Sequence, residues 1–236
     1  MTETMQTDFV SHVSHEFRTP LAAIEGYATL LQDEAASDEE RAQYAERILL
    51  STRRLSVLVG DVLLLSKTER RGILPPPISY RLDEQVREAL LAQETAWTDR
   101  QIEFDVELCE VTYEGQESLL YHVFSNLISN AVKYAPMGGQ VRLSLSEEAE
   151  TVTFTVEDNG PGIPEEERTR IFRKFYRADG ARSSSGNGLG LALVKNVLET
   201  VGGQIAVSDV QPHGARFTVP LPKRAKDGAH MRARRA

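Results

Sequence analysis

Apolar side chains recur at spacings of three and four residues along the first third of the chain. This spacing predicts an amphipathic helix from about Thr4 to Glu34 and a second helix that ends near Glu69. The polar stretch between them contains Ser37 and Asp38, and either residue is suited to cap the second helix. The repeating apolar positions are Val13, Phe17, Leu21, Ile24, Ala28 and Leu31 in the first helix, and Tyr44, Ile48, Leu55, Leu58, Val62 and Leu65 in the second.

Two helices with these stripes form a hairpin that leaves one apolar side without a cover. Pairing with a second copy of the chain is the simplest way to cover that side. We therefore expect a homodimer through the helical hairpin, in the form of a four-helix bundle.

Beyond the proline-rich run 72–77, the pattern changes to a mixture of helices and strands. Helices are predicted at Asp83–Trp97, Leu119–Tyr134 and Leu189–Val201. Alternation of polar and apolar residues predicts strands at Gln101–Leu108, Gln140–Ser146, Thr151–Glu157, Gln204–Ser208 and Ala215–Pro220. Helices layered on one antiparallel-rich sheet make an α+β sandwich. The predicted domains are a helical hairpin at 1–72, a mixed domain at 73–222 and a basic, disordered tail at 223–236.

Composition narrows the class of protein. A hydrophobic content of 41% is enough to form the buried hydrophobic cores of one or two domains. A formal net charge of −8 argues against nucleic-acid binding. Cys109 is the single cysteine, which excludes disulfide frameworks and Cys-based zinc sites within one chain and fits a reducing compartment. No run approaches 18 apolar residues, so we expect no direct membrane contact by this chain.

His15 is the candidate nucleophile. On a helical projection it lies roughly 165° from the centre of the first apolar stripe, so the ring should face water. Glu16 is placed to take or hold the second ring proton, and Thr19, one turn on, to orient a water molecule. His12 is the rival acceptor, but no acid follows it. The alternative interpretation is an ordinary surface histidine.

The middle of the chain carries candidate nucleotide ligands. Asn126, Asn130 and Lys133 share one helix face, and Tyr134 follows them. Amide oxygens are acceptable ligands for Mg²⁺, and a lysine can bind phosphate. Asp158 ends a predicted strand, where its carboxylate can accept the amino hydrogen of adenine. Considered separately, these residues also fit a polar helix face and a simple turn.

Glycines mark both remaining motifs. Gly160 and Gly162 follow Asp158, and the loop of Gly186, Gly188 and Gly190 leads through Leu189 into an apolar helix whose N-terminus suits phosphate. Neither a P-loop nor a dinucleotide fingerprint is present, and the motifs of serine, threonine and tyrosine kinases are absent. Between the glycine loops, Phe172 and Phe175 are predicted anchors of a mobile lid, and Arg177 can offset charge on a transferred phosphate. Plain packing is the alternative for the two aromatic residues.

From about Asp8 to Pro222 the sequence resembles the dimerisation and phosphotransfer domain plus the catalytic ATP-binding domain of sensor histidine kinases. The resemblance is carried by an H motif around His15, an N motif at Asn126–Tyr134, a G1 motif at Asp158–Gly162, an F motif at Phe172–Tyr176 and a G2 motif at Gly186–Gly190. It implies the GHKL, or Bergerat, fold shared with Hsp90, MutL and gyrase. Phe17 stands where leucine is commoner in the family and keeps the apolar character.

The resemblance also implies roles for individual residues. His15 would be the phosphoacceptor, Glu16 its general base, Thr19 a residue of phosphatase action and Arg177 a catalytic cation. Asn130 would hold Mg²⁺ and Asp158 the adenine. The remaining nucleotide-binding positions implied are Asn126, Lys133, Tyr134, Gly160, Gly162, Ile163, Tyr176, Gly188, Leu189 and Gly190.

The expected function is that of an ATP-dependent protein histidine kinase with ATP and Mg²⁺ as cofactors. It would phosphorylate His15 and pass the phosphoryl group to an aspartate of a response-regulator receiver domain, and could act as its phosphatase. The alternatives are a GHKL-type conformational ATPase and a nucleotide-binding dimeric scaffold. We expect a fragment of a longer protein, because only 14 residues precede His15. The resemblance implies that this fragment is cytoplasmic and that its parent is anchored in the bacterial plasma membrane.

Overall fold

A computed structural model describes residues 3–69, 76–177 and 186–223, with the backbone alone for residues 3–8. The chain divides into two compact units. The helical unit comprises Met1–Ser66 together with Lys174–Leu189, and the mixed unit comprises Lys67–Arg173 together with Gly190–Ala236. The predicted boundary at residue 72 and nearly all of the predicted basic tail lie outside the described residues.

Two long helices form the hairpin of the helical unit. Helix α1 runs from Glu3 to Leu31 and helix α2 begins at Asp38 and ends at Glu69, which confirms both predicted helices. Ser37 caps α2 through a capping box, because its hydroxyl accepts the Glu40 amide at 3.3 Å while the Glu40 carboxylate accepts the Ser37 amide at 2.9 Å. The two helices meet where the rings of Tyr27 and Tyr44 stack with centroids 5.9 Å apart.

Few residues of the hairpin are buried in a single chain. On α1 and α2 the buried side chains are Ser51, Leu58, Leu65 and Thr68. Leu21 belongs to the predicted apolar stripe of α1 and is nevertheless 45% exposed. The exposed large apolar side chains of the hairpin are Val10, Leu21, Leu30, Leu49, Leu50, Val57, Val59 and Leu63. The hairpin therefore has apolar surface to spare, as the stripe pattern predicts.

The helical unit also includes the described parts of the segment Lys174–Leu189. Phe175 stacks on His12 of α1 with ring centroids 5.3 Å apart and packs against Phe9 at 5.7 Å. Asn187 donates a hydrogen bond to Asp61 of α2 at 3.0 Å. Both described ends of this segment thus contact the helices of the hairpin.

A five-stranded sheet forms one layer of the mixed unit, in the order β2-β4-β5-β7-β6. Strands β2 and β4 are parallel, and the other neighbours are antiparallel. The strands are β2 (Glu103–Leu108), β4 (Gln140–Glu147), β5 (Thr151–Asp158), β6 (Ala206–Asp209) and β7 (Ala215–Pro222). All five correspond to predicted strands, and the predicted hairpin of β4 and β5 is confirmed.

Helices cover one face of this sheet. They are α3 (Leu82–Leu91), α4 (Glu94–Asp99), α5 (Glu117–Tyr134) and α6 (Gly190–Val201), with a short 3-10 helix at Glu165–Glu167. Helix α5 packs against α3, α6 and β5, and Phe124 of α5 meets Phe154 of β5 edge-on, with both side chains fully buried. This arrangement confirms the predicted α+β sandwich. No helix in the described ranges combines the length and the apolar content needed to cross a bilayer.

Two features of the mixed unit were not predicted. The helix expected at Asp83–Trp97 is interrupted at residues 92 and 93, because Trp97 of α4 packs edge-on against Phe104 instead of continuing the buried face of α3. A second sheet pairs β1 (Ile78–Arg81) with β3 (Thr112–Gly115). These strands have four residues each, which is too short for a clear alternating pattern.

Candidate active site

The helix α1 presents His15 to solvent. The side chain of His15 is exposed, Glu16, the next residue in the chain, is half-buried, and Thr19 is exposed one turn further on. The predicted outward orientation of His15 is therefore confirmed. Pro20 lies inside α1 without ending it, and it has no amide hydrogen to donate to the carbonyl oxygen of Glu16. An accessible imidazole with an adjacent carboxylate is an arrangement that can act as a nucleophile with its base.

One polar face of α5 carries the predicted amide and lysine ligands. Asn126, Asn130, Lys133 and Tyr134 are half-buried, while the opposite face of α5 supplies the core. The Asn126 amide donates to the carbonyl of His122 at 2.8 Å. The ammonium of Lys133 lies 4.7 Å from the ring centre of Tyr134.

Asn130 lies between these residues on the same face. In the ranges that the structure describes, the side-chain amide of Asn130 makes no hydrogen bond, so its oxygen is available as a ligand. Those same ranges contain no group of three or more His, Cys, Asp or Glu side chains placed to hold a metal ion. An amide oxygen together with substrate phosphates and water is the kind of ligand set that Mg²⁺ accepts in nucleotide sites. Asn130 therefore fits the predicted metal role chemically.

Asp158 is the last residue of β5 and is 6% exposed. The alternation that buries Val152, Phe154 and Val156 also directs Asp158 to the helix-covered face of the sheet. Its carboxylate accepts a hydrogen bond from the Gly160 amide at 2.9 Å. Burial raises the pKa of Asp158 above its ordinary value. A buried carboxylate in its ionised form is a strong acceptor for a hydrogen-bond donor of a ligand.

Close backbone approach explains why glycine is needed beside Asp158. A Cβ at Gly160 would lie 2.5 Å from the carbonyl oxygen of Tyr134 and 2.7 Å from the Asp158 carboxylate. The loop continues through Gly162 and the half-buried Ile163. The G1 loop, defined here as residues 158–163, is thus packed directly onto the C-terminal end of α5.

The other end of the polar α5 face meets the start of α6. A Cβ at Gly190 would lie 2.5 Å from the amide oxygen of Asn126. Asn126 and Tyr134 are eight residues apart, which is about 12 Å along a helix. The polar face is therefore bounded by the G1 loop at one end and by the N-terminus of α6 at the other. A helix N-terminus favours phosphate, and the buried Asp158 lies at the opposite end.

The remaining predicted ligands, Tyr176, Arg177, Gly188 and Leu189, belong to the helical unit. Gly188 has a φ of +68°, and its carbonyl accepts the Phe175 amide at 2.9 Å. A side chain at this position would lie 2.8 Å from the Phe175 backbone. Phe175 was a predicted lid anchor, and its contacts are with Phe9 and His12 of α1. Most of the predicted lid, residues 178–185, lies outside the described ranges.

Sequence reasoning missed three residues that hold the G1 loop. Asn159 accepts the Gln140 amide through its side chain at 2.9 Å. Arg168 donates to the carbonyl of Ile163 at 3.2 Å, and His213 lies against the loop from the turn between β6 and β7. Arg168 and His213 come from other segments of the mixed unit, and no local sequence pattern announces such contacts.

Two family models match the chain. His Kinase A (phospho-acceptor) domain matches residues 5–71, and Histidine kinase-, DNA gyrase B-, and HSP90-like ATPase matches residues 115–225. Together they cover α1 with His15, the polar face of α5 and both glycine loops. The chain belongs to the two-component sensor histidine kinase family. This confirms the family inferred from the motifs.

Known histidine kinases resemble the chain over most of its length. It is 34% identical over 223 residues to the sensor-like histidine kinase SenX3 of Mycobacterium tuberculosis, covering 93% of this chain and 54% of that protein. It is 35% identical over 230 residues to the signal transduction histidine-protein kinase/phosphatase MprB of Mycobacterium sp. strain KMS, covering 93% and 44%. The chain spans about half the length of the curated relatives it matches.

Solved histidine kinase structures agree with this assignment. The structure of mycobacterial sensor histidine kinase MprB matches with a TM-score of 0.57 and 32% identity, covering 63% of this chain and 99% of that one. Full-length ShkA in complex with AMPPNP matches with a TM-score of 0.69 and 28% identity, covering 92% and 46%. The fold of both units is therefore that of a histidine kinase core.

Proposed function

We propose that this histidine kinase chain binds ATP on the polar face of α5 and transfers the γ-phosphate to His15. The observation that carries the proposal is the boundary of that face, with the buried Asp158 at one end and the Asn126–Gly190 contact at the start of α6 at the other. The span of about 12 Å along the helix suits a nucleotide lying lengthwise, with the adenine at Asp158 and the phosphates at α6.

Each residue of the proposed nucleotide-binding set has a distinct task. The Asp158 carboxylate accepts the adenine amino hydrogen, which selects adenine over guanine because guanine presents a carbonyl oxygen there. Lys133 and Arg177 offset phosphate charge, and Asn130 holds Mg²⁺. The metal ion supplies electrostatic neutralisation of the phosphates when it is bound. Tyr176, Gly188 and Leu189 complete the nucleotide-binding set.

Phosphoryl transfer then proceeds by in-line displacement. The lone pair of the His15 ring forms a bond to the γ-phosphorus while the bond from that phosphorus to the bridging oxygen breaks, and ADP leaves. Glu16 accepts or holds the proton on the other ring nitrogen, so that charge does not accumulate on the imidazole. The phosphohistidine next donates its phosphoryl group to an aspartate of a response-regulator receiver domain.

A homodimer through the hairpin is part of the proposal, supported by the exposed apolar residues of α1 and α2. Thr19 is exposed one turn from His15, where it can orient water for hydrolysis of the phosphorylated regulator, an activity that the name of the relative MprB includes. We also propose a cytoplasmic location, where ATP is available, for this part of a membrane-anchored parent protein.

The test is labelling with γ-labelled ATP and Mg²⁺ in wild type, His15→Ala and Asn130→Ala. We expect acid-labile, base-stable label on the wild-type chain and none on either variant. His12→Ala is the matched control, because His12 is the other exposed histidine on this part of α1, and it should retain the label.

The same experiment separates the alternatives. A conformational ATPase would turn over ATP equally well in His15→Ala, and a nucleotide-binding scaffold would bind ATP without becoming labelled. Label that survives His15→Ala and disappears in His12→Ala would overturn the assignment of the acceptor.

A further inference from the structure

The turn between β6 and β7 lies against the G1 loop. The Nδ1 atom of His213 is 3.0 Å from the carbonyl oxygen of Asn159 and 3.2 Å from that of Gly160. Both partners are acceptors, so Nδ1 must carry the hydrogen and donate to them. One ring nitrogen thereby bridges two consecutive carbonyl groups of the loop that follows Asp158.

The backbone of this turn is equally close to the loop. A Cβ at Gly214 would overlap the carbonyl oxygen of Asp158, so the turn approaches as closely as glycine allows. Ala215 pairs with Asp158 across the two strands, which fixes the register of the approach. The strand pairing and the close backbone approach therefore hold the backbone of His213 next to the G1 loop.

The loop is held from the opposite side as well. The Asn159 amide donates to the carbonyl of Gln140 at 3.2 Å, and the Asn159 side chain accepts the Gln140 amide at 2.9 Å. His213 provides the second attachment, at the carbonyl groups. With both in place, the Gly160 amide stays 2.9 Å from the Asp158 carboxylate and orients it.

We propose that His213 is a positioning residue for the nucleotide base. It holds the carbonyl groups of Asn159 and Gly160, and through the Gly160 amide it fixes the direction in which Asp158 presents its carboxylate. This inference rests on the proposed role of Asp158 in adenine binding. Because His213 acts on the base-binding end, its loss should weaken nucleotide binding and leave the phosphoryl-transfer step unchanged.

Three substitutions in the full chain separate hydrogen bonding from bulk. Asn places an amide donor where Nδ1 is, Asp has the same shape but presents oxygen atoms to the two carbonyl groups, and Ala removes the contact. We expect His213→Ala to raise the Kd for ATP about threefold to tenfold, which is the usual value of one hydrogen bond. His213→Asn should stay within about twofold of wild type, and His213→Asp should bind more weakly than His213→Ala.

The kinetic readout distinguishes positioning from a structural role. In autophosphorylation assays the KM for ATP should rise in His213→Ala while kcat stays within about twofold. The ring is exposed, so the melting temperature without nucleotide should change little. Arg216→Gln is the matched control. Arg216 of β7 forms an ion pair with Glu157 of β5 at 2.7 Å and is not bonded to the G1 loop.

Several outcomes would overturn the inference. Wild-type affinity in His213→Ala would do so, as would equal affinity of the Asn and Asp variants, of which only Asn can donate a hydrogen bond to the two carbonyl groups. Should His213→Ala fold poorly, the comparison of Asn with Asp still decides. Asp158→Ala is assayed in parallel, because wild-type ATP binding by that variant would instead refute the proposed function.

Discussion

The two units of this kinase core bury their apolar residues to very different extents. Among the described residues, the hairpin helices α1 and α2 have two buried large apolar side chains, Leu58 and Leu65, and eight that are exposed. The mixed unit has four exposed ones, Ile78, Leu91, Val106 and Met137, around a core with fully buried residues on α3, α5, α6, β4, β5 and β7.

The difference teaches which unit can be stable by itself. A sheet covered by helices buries both of its partners within one chain, whereas two helices can bury only the stripe along which they touch. The mixed unit is therefore complete as a single chain, while the hairpin needs further apolar surface. The four predictions below test this comparison, from the largest expected effect to the smallest.

The largest effect is expected in the core of the mixed unit. Phe124→Ala removes a fully buried ring that meets Phe154 with centroids 4.9 Å apart. We expect a loss of about 3–5 kcal/mol in the free energy of unfolding, since a cavity is added to the lost transfer energy. Urea titration followed by the fluorescence of Trp97, the single tryptophan, reports on this unit. Phe17→Ala on α1 is the control, and an equal shift of the Trp97 transition there would contradict the independence of the units.

The second prediction concerns the incomplete surface of the hairpin. Leu21→Glu places a charge on a residue that is 45% exposed in one chain and that a second copy would bury. Each dimer contains the change twice, so we expect the dissociation constant of the dimer to rise about 100-fold. Sedimentation velocity measures it, with Ile78→Glu in the mixed unit as the control because Ile78 is 46% exposed. An unchanged dissociation constant for Leu21→Glu would remove this side of the hairpin from the interface.

A buried ion pair in the mixed unit should depend on pH. Asp83 is fully buried and accepts hydrogen bonds from Arg81 at 2.8 and 2.7 Å, from Arg87 at 2.7 Å and from the Val111 amide at 3.2 Å. The Arg81 guanidinium is the main reason that the pKa of Asp83 is far below its ordinary value. We expect Asp83→Asn to lower the free energy of unfolding by about 2 kcal/mol at pH 7.

The sign of the pH dependence follows from the lowered pKa of Asp83. Its stabilisation is complete above the pKa of the unfolded state, about 4, and is lost as the pH falls toward the folded-state pKa. The difference in the free energy of unfolding between wild type and Asp83→Asn should therefore become smaller below about pH 4. Urea titrations at several pH values measure it. Asp105→Asn is the control, because Asp105 is half-exposed in its pair with Arg142. This substitution should lower the free energy of unfolding by less than about 1 kcal/mol.

The smallest effect is expected at the start of α2. Ser37→Ala removes the capping box with Glu40, which costs about 1 kcal/mol. Hydrogen exchange of the first amides of α2 should speed up, and the Trp97 transition of the mixed unit should not move. Ser56→Ala, at an exposed position within α2, should be neutral or slightly stabilising because alanine favours helix. Equal effects of the two changes would mean that the cap contributes nothing.

Periodic residues were the most predictable from sequence. The apolar stripes of α1 and α2 and the alternation of β4 and β5 identified these elements, because an amphipathic element repeats its burial pattern along the chain. The short strands β1 and β3 and the break before α4 could not be predicted, since each depends on a partner elsewhere, Tyr113 for Tyr80 and Phe104 for Trp97.

The candidate site divides in the same way. The amphipathic period alone indicated that His15 faces outward and that Asn126, Asn130 and Lys133 share a face, because both are properties of a single helix. The contact of Tyr134 with Gly160 and that of Asn126 with Gly190 join segments distant in sequence.

By itself, then, the sequence determined the two amphipathic helices of the hairpin, the chemistry available on each element and the family to which the chain belongs. Only the tertiary structure decided which loops bound the α5 face, that Phe175 packs on His12 and that His213 reaches the carbonyl groups beside Asp158. The physical reason is range. Helical and strand periods are read from neighbouring residues, whereas these contacts depend on sheet register and close packing between residues that the chain itself keeps far apart.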